Sequence, residues 1–380
     1  MAALVLNEEQ QMLKDAAKRF LAESAPVSQL RSLRDNRDET GFSRELWQQM
    51  VEMGFVGTLI PEEFGGSAFG FTGMGQVFEQ AGRNLSASPL LSSAVVGVSL
   101  LQLAGSDEQR QSMLPAIAEG KLLLALAVDE KPRHAPQHIE TVAQERDGGY
   151  VLTGNKVFVI DGHVADTLIV AARTHVADTA SEGVSLFLVD PKAEGVTLER
   201  TIMVDSRNAA NVSFDHVKVG SDALLGQLDQ GYTALDKVLD IANAQLAAEL
   251  LGISLEAFDR TVAYMQERKQ FGVVIGSFQA LQHRAAHMFS ELELVKSVVL
   301  KALVALDEND PEAKALVSLA KAKASEVAEL VTNEAIQLHG GMGMTDEFDV
   351  GLFIKRARSV QALYGDYRYH ADRFARLRGY

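Results

Sequence analysis

The sequence predicts an α+β fold in which a strand-rich middle lies between two helical parts, and three observations predict it. Helical apolar spacing marks the first 120 residues, short runs of β-branched and aromatic residues follow from about Leu122, and helical spacing returns after Gly226. At 380 residues the chain exceeds what one hydrophobic core usually organises, so two or three packed units are expected. The changes in texture place them at 1–120 (N-terminal helices), 121–226 (middle β domain) and 227–380 (C-terminal helical bundle).

In order along the chain, Asn7 is an expected N-cap, and EEQQMLKDAAKRFLAES puts Met12, Ala16, Ala17, Phe20 and Leu21 on one helical face. Between the following helices LIPEEFGG, Leu59 to Gly66, reads as a loop because of Pro61 and the Gly65-Gly66 pair. LLLALAVDE, IETVAQE, YVLTGNKVFVI, DTLIVAAR, VSLFLVD, GVTLERTIMV and NVSFDHVKVG then read as strands, separated by turn-forming pairs such as Asp147-Gly148 and Gly154-Asn155. Antiparallel pairing in a sandwich or barrel is expected, since no helix of ordinary length fits between these runs. Beyond Gly226, Tyr232 to Gln266, Phe278 to Leu306 and Ala313 to Gln337 read as long helices, with Leu235, Val238, Leu239, Leu246, Leu250 and Ile253 on the 3.6-residue period.

Composition narrows the function classes. A hydrophobic fraction of 47% with 23% charged residues describes a globular chain. A net charge of -15 repels phosphate backbones and anionic membrane surfaces, so neither nucleic acid nor membrane is an expected partner. The longest uncharged apolar stretch, about Leu90 to Gly105, falls short of the ~20 residues of a spanning helix. The opening MAALVLNEEQQMLKDAAKRF lacks a basic n-region and does not read as a secretory signal, and cysteine is absent, which fits a cytoplasmic setting.

Three motifs invite chemistry. His283 and His287 stand four apart in QHRAAH, but no Glu follows the first and no third ligand is near, so no metal site is expected. No G-x-S-x-G elbow follows any strand, which removes the usual hydrolase reading. QLHGGMGMT follows a long helix, so its glycines form a helix C-cap turn first, and as bare backbone they can also approach a phosphate. In ERKQFG, Arg268 can hold a pyrophosphate bidentately and Phe271, three residues on, can support a planar ligand.

Taken in order, LIPEEFGG, the β middle, VSFDHVKVG ahead of Leu225-Gly226, ERKQFG, SFQALQHRAAHM and QLHGGMGMTDE resemble an acyl-CoA dehydrogenase over essentially the whole length. The resemblance implies an N-terminal helical domain, a middle β-barrel domain and a C-terminal four-helix bundle, assembled as a dimer or a dimer of dimers. It implies FAD, with the isoalloxazine between middle and C-terminal domains and the pyrophosphate reaching a neighbouring subunit. By residue match, Arg268 and Phe271 would bind the neighbour's FAD, with Gln279, Gln337 and the backbone of Gly340 and Gly341 completing the cradle. Val128 keeps the family's residue type in the flavin loop, and Phe158 in NKVFVIDG stands where an aromatic lies beside the flavin. The implied chemistry is removal of an α-proton from an acyl-CoA by a carboxylate as the β-hydride passes to the flavin, with an electron-transfer flavoprotein as acceptor.

The departures from the family pattern bear on that chemistry. Tyr364 and Ala242 occupy the two positions where relatives carry the catalytic Glu, and a phenol with an unperturbed pKa near 10 is a poor base at neutral pH. Asn243 stands where many relatives have arginine, and Asp129 and Ile160 stand where threonines are common. Two readings follow. In one, an enzyme, Asp366 serves as base, with Glu249, two helical turns from Ala242, as runner-up. In the other, the chain is a non-catalytic or half-site subunit of a heteromeric dehydrogenase and contributes to FAD binding. The ending ALYGDYRYHADRFARL resembles small subunits of pimeloyl-CoA dehydrogenases and subunits of heteromeric steroid side-chain dehydrogenases, which implies a bulky or dicarboxylic acyl-CoA.

Overall fold

The computed structural model describes residues 5–175, 179 and 181–380. Residues 1–4, which begin the stretch read above as lacking a signal, lie outside the described residues, as do 176–178 and 180.

The first helix, α1 (Glu8–Ser24), starts where expected. The Asn7 side chain accepts the Gln10 N–H at 2.7 Å and the Gln10 side chain accepts the Asn7 N–H at 3.0 Å, so two orphan donors satisfy each other's residues. Ala17 and Leu21 are buried, whereas Met12, expected on the same face, is 66% exposed. Then come α2 (Val27–Asp35), α3 (Arg44–Glu52), α4 (Gly70–Asn84), α5 (Val98–Ala104) and α6 (Asp107–Ala118). The uncharged stretch before α5 is a π-helical segment, Leu90–Gly97, with every residue buried. LIPEEFGG is the expected loop, tightened by a 3₁₀ turn at Glu62–Phe64. Its Gly66 is required, since a Cβ there would lie 2.0 Å from the Ile60 carbonyl oxygen.

Eight strands follow: β1 (Leu124–Ala127), β2 (Val142–Arg146), β3 (Gly149–Ile160), β4 (Thr167–Arg173), β5 (Val184–Val189), β6 (Val196–Ile202), β7 (Asn208–Gly220) and β8 (Leu224–Leu225). They form one sheet in the order β6-β7-β3-β2-β4-β5-β8, with β1 beside β4. Pairing was expected to be antiparallel throughout, yet β1 runs parallel to β4 and β2 meets β4 in parallel at Val142 and Arg173. Alternation of side chains does not encode strand direction, so the sequence could not distinguish the two. Asp147 and Gly148, with φ of 52° and 81°, make the predicted tight turn between β2 and β3. Gly154-Asn155 is not a turn but lies inside β3, beside an irregularity in its pairing with β7. Inward residues including Leu152, Leu168, Val170, Phe187, Val212 and Phe214 make the core of this sheet.

The C-terminal part contains α7 (Gly231–Glu267), a short hairpin of β9 (Lys269–Gln270) and β10 (Val273–Val274), α8 (Gln279–Asp307), α9 (Ala313–His339), α10 (Val350–Ala362) and α11 (Tyr367–Leu377). Among the described residues, α7 is the one helix long and apolar enough to cross a membrane, but its most apolar window is wholly buried in the protein. It is a core helix, apolar on every side because neighbours surround it. Leu235, Val238, Leu246, Leu250 and Ile253 are all fully buried, and Leu239 nearly so. Where α4 meets α7 two glycines permit the approach. A Cβ at Gly82 would lie 2.3 Å from the Glu249 carbonyl oxygen, and one at Gly252 would lie 1.9 Å from that of Glu79.

The chain forms two compact units. One comprises Met1–Asn36, Gly70–Ala87 and Asn243–Tyr380, the other Arg37–Phe69 and Ser88–Ala242. The helices ahead of the sheet are thus shared out, with α1, α2 and α4 belonging to the bundle unit and α3, α5 and α6 to the sheet unit.

Candidate functional site

In the bundle unit a set of exposed groups surrounds the end of α7 and the end of α9. Arg268 follows α7 directly, is exposed, and its guanidinium has no ion-pair or hydrogen-bond partner among the described residues. Phe271 occupies the tip of the β9–β10 hairpin at φ 54° with 92% of its surface exposed, next to Gly272 at φ 82°. Left-handed backbone is costly for an aromatic residue, and so is leaving a phenyl ring in water, so both point to a partner for this face. The ring is braced edge-on by Phe278, with centroids 6.3 Å apart, and Gln279 starts α8 exposed beside it.

At the other end, Gln337 is exposed on the last turn of α9, and Gly340 opens a 3₁₀ turn, Gly340–Met344, as the predicted C-cap. Gly340 has φ 60° and ψ -138°, a conformation only glycine adopts readily, and a Cβ built on Gly340 or Gly341 meets nothing within 4 Å. Open backbone of this kind can take a phosphate oxygen. His339, just ahead, is buried, stacks on Tyr264 at 4.3 Å and points Nδ1 at the Ala335 carbonyl 2.7 Å away. Burial holds its pKa below the usual histidine value, against the opposing pull of the Ala335 carbonyl.

In the sheet unit Phe158 sits on β3 between paired residues Lys156 and Val159, at φ 54° and 49% exposed. The β-bulge turns an aromatic ring outward from an otherwise alternating strand. Next to it the Val157 N–H donates to the Asp129 carbonyl at 2.8 Å, and Lys156 Nζ donates to the Val128 carbonyl at 3.2 Å and to Glu130 at 2.7 Å. Val128 is therefore buried, and its loop is stitched to β3 through its main chain. Burial pushes the Glu130 pKa up, but the Lys156 charge and hydrogen bond together with hydrogen bonds from Thr141 outweigh it and hold the carboxyl below its usual range. Asp129 is engaged by His134 Nδ1 at 2.9 Å, an acid–imidazole pair in place of a neutral hydroxyl.

Ala242 and Tyr364 stand at the positions where the resemblance implies a glutamate. Ala242 is fully buried on α7, and its neighbour Asn243 donates through Nδ2 to the Tyr364 carbonyl at 3.1 Å. Tyr364 itself is buried at φ 52°. Each of the two substitute carboxylates offered by the sequence has a partner. Asp366 is exposed and accepts the Tyr369 N–H at 2.8 Å as the N-cap of α11. Glu249 is buried and paired with Arg356 Nε at 2.7 Å, so its charge is already neutralised. The Asp366 cap is local, its partner lying three residues on, whereas the Glu249 pair joins residues 107 apart, which the local pattern does not reveal. His283 and His287 are exposed on α8, and the described residues contain no group of three ligands that could hold a metal.

Family profiles described as acyl-CoA dehydrogenase N-terminal, middle and C-terminal domains match residues 7–121, 129–217 and 229–377. A probable acyl-CoA dehydrogenase, YngJ of Bacillus subtilis, is 32% identical over 364 residues, covering 94% of either chain. This chain belongs to the acyl-CoA dehydrogenase family. Butyryl-CoA dehydrogenase from Megasphaera elsdenii superposes with a TM-score of 0.89 at 25% identity over 98% of both chains. The ChsE4-ChsE5 complex from Mycobacterium tuberculosis contains a chain that superposes at 0.90 and 25% identity over 100% of both.

Members of the acyl-CoA dehydrogenase family are oxidoreductases acting on the CH–CH bond of an acyl-CoA, and the family binds FAD. The residues of this member fit such a group. An unpaired Arg268, the uncovered backbone at Gly340 and Gly341 and the bare Phe271 ring suit a diphosphate and an aromatic nucleotide, and the exposed Phe158 suits a planar ring. What the residue patterns missed is Lys321, which is fully buried in α9 and contacts the turn carrying Tyr364. A signal for it existed: Lys321 falls on the apolar stripe of Val317, Ala324 and Ala328, where a lysine has no reason to be unless it has a buried partner.

Proposed function

We propose that this chain is the half-site, non-catalytic subunit of a heteromeric acyl-CoA dehydrogenase, gripping FAD whose catalytic base belongs to another subunit. The observation that carries the reading is the occupation of every carboxylate the sequence offered as a base. Ala242 and Tyr364 hold the usual positions, Asp366 caps α11, and Glu249 is paired with Arg356. An acyl α-C–H is a weak acid, so its removal needs a desolvated, uncommitted base, which this set does not supply.

Arg268 in this reading makes the charge-assisted contact to the diphosphate, Phe271 covers the nucleotide, Gln279 and Gln337 add hydrogen bonds, and the Gly340 and Gly341 backbone closes the cradle. Val128 and Phe158 line the flavin side of the chain's own sheet. Bound flavin supplies the hydride acceptor of the family's reaction. The assembled dehydrogenase converts an acyl-CoA to its trans-2-enoyl-CoA and passes electrons to an electron-transfer flavoprotein, in the cytoplasm. A bulky or dicarboxylic acyl group is the substrate suggested by the C-terminal sequence, and the structural likeness to a chain of the ChsE4-ChsE5 complex supports a heteromer.

The test is to purify the chain alone and together with a dehydrogenase-like partner that carries a glutamate at either family position. Stoichiometric flavin absorbance and acyl-CoA oxidation are expected only for the pair. Turnover by the chain alone, with flavin bound, overturns the reading.

A further inference from the structure

The turn between α10 and α11 is held in a way that ordinary helix capping does not require. Lys321 has no exposed surface, and its Nζ reaches the carbonyls of Leu363 at 2.8 Å, Gly365 at 3.0 Å and Gln361 at 3.5 Å. The intervening carbonyl, that of Tyr364, is taken by Asn243 Nδ2 from α7 and faces His370 Nε2 on α11 at 3.2 Å. Consecutive carbonyls are thus met from three different helices. The Gln361 side chain adds a further tie, donating to the Ser325 carbonyl of α9 at 2.5 Å.

The backbone so held is strained and tightly fitted. Tyr364 has φ 52° and Gly365 φ 109°, and a Cβ at Gly365 would lie 2.4 Å from the Tyr369 ring and 2.9 Å from His370 Nε2. A buried lysine is costly, and a left-handed tyrosine is costly; both persist only where surrounding contacts over-determine them. A turn needed only to connect two helices could use exposed carbonyls solvated by water instead.

We propose that Lys321 is a positioning residue for residue 364, its Nζ clamping the carbonyls on either side so that the turn presents that residue's side chain in one fixed direction. The inference deepens the half-site reading, because it makes this chain's lack of a base a matter of side-chain chemistry on a mount that is still built. The geometry of the mount comes from α7, α9 and α11.

Hydrogen–deuterium exchange on the full-length protein decides it. Lys321→Met keeps the length of the side chain and removes every donor. Peptides spanning residues 361–366 are expected to exchange about ten-fold faster or more, while peptides from α8 and from β4 and β5 exchange as before. Lys321→Gln, which keeps two N–H donors, is expected to restore part of the protection, a graded rescue that loss of packing alone would not give, and it serves as the test if Lys321→Met does not fold. Unchanged exchange at 361–366 in either variant, or a change spread evenly over the whole helical unit, overturns the proposal. Tyr364→Glu separately tests the functional reading: in the flavin-loaded pair, with the partner's glutamate replaced by glutamine, it is expected to bring α-proton exchange of a bound acyl-CoA in deuterated buffer, which Lys321→Met added to it removes. If Tyr364→Glu gains nothing while Lys321→Met still loosens the turn, the mount stands and the base-position reading falls.

Discussion

Arg268 shows how little of a residue's role is visible in its type. Arginines on this chain are mostly spent on carboxylates, as Arg34 is on Asp346 and Arg260 is on Asp349, whereas Arg268 has none among the described residues. Arg268→Gln is expected to raise the dissociation constant for FAD about ten- to hundred-fold, the value of one charge-assisted hydrogen-bonding group, with the melting temperature of the flavin-free protein unchanged. Flavin fluorescence titration measures it. Asp366 gives the opposite forecast. Asn caps a helix as well as Asp does, so Asp366→Asn is expected to leave both stability and the turnover of the assembled complex unchanged, while Asp366→Ala costs about 1 kcal/mol in a denaturant melt. Abolished turnover in Asp366→Asn would return that residue to the catalytic role the sequence suggested.

At the scale of elements, the same helix can carry packing and electrostatics that single-residue reasoning separates. The crossing of α4 and α7 depends on Gly82 and Gly252 for close approach, and one turn from Gly252 lies Glu249, bound to Arg356 of α10. Breaking that buried pair strands a charge, so Glu249→Leu is expected to destabilise the protein by about 3–5 kcal/mol, and replacing both members by apolar residues of similar volume is expected to recover most of the loss. A double-mutant cycle in urea measures both. The start of α1, the loop at LIPEEFGG and the limits of α7, α8 and α9 were legible because caps, glycines and apolar period act within a few residues. The parallel pairing of β1 with β4, and the place of Gly154 inside a strand, were not, because strand partners are chosen by distant residues.

Across the described residues, four buried or half-buried basic groups, His163, His339, Lys156 and Lys321, move in one direction. Burial lowers the pKa of His163 and His339 below their ordinary 6.5, and pushes Lys321 from 10.5 down to about 7 even though Asp366 opposes it. In each case the folded state holds its proton less firmly than the unfolded chain, so stability increases with pH wherever the unfolded state alone is protonated. For the histidines the contribution is full above pH 6.5 and is lost as pH falls through the lower folded values. For Lys321 the penalty of the buried charge is full below about pH 7 and fades as pH rises from there to 10.5. Chemical denaturation is therefore expected to show the unaltered protein gaining on Lys321→Met by up to about 1.4 kcal/mol for each pH unit inside that window. A difference between the two proteins that stays flat across the window contradicts it.

By itself the sequence determined the succession of helices, strands and helices and the family, since each depends on local pattern or on residue identity. Only the tertiary structure decided that Asp366 caps α11, that Glu249 is paired with Arg356, that Arg268 has no ion-pair partner among the described residues and that a buried lysine contacts the turn around Tyr364. The reason is physical: whether a charge is available for chemistry depends on what lies within a few ångströms of it, and for Glu249 and Lys321 those neighbours lie 107 and 42 residues away in the sequence.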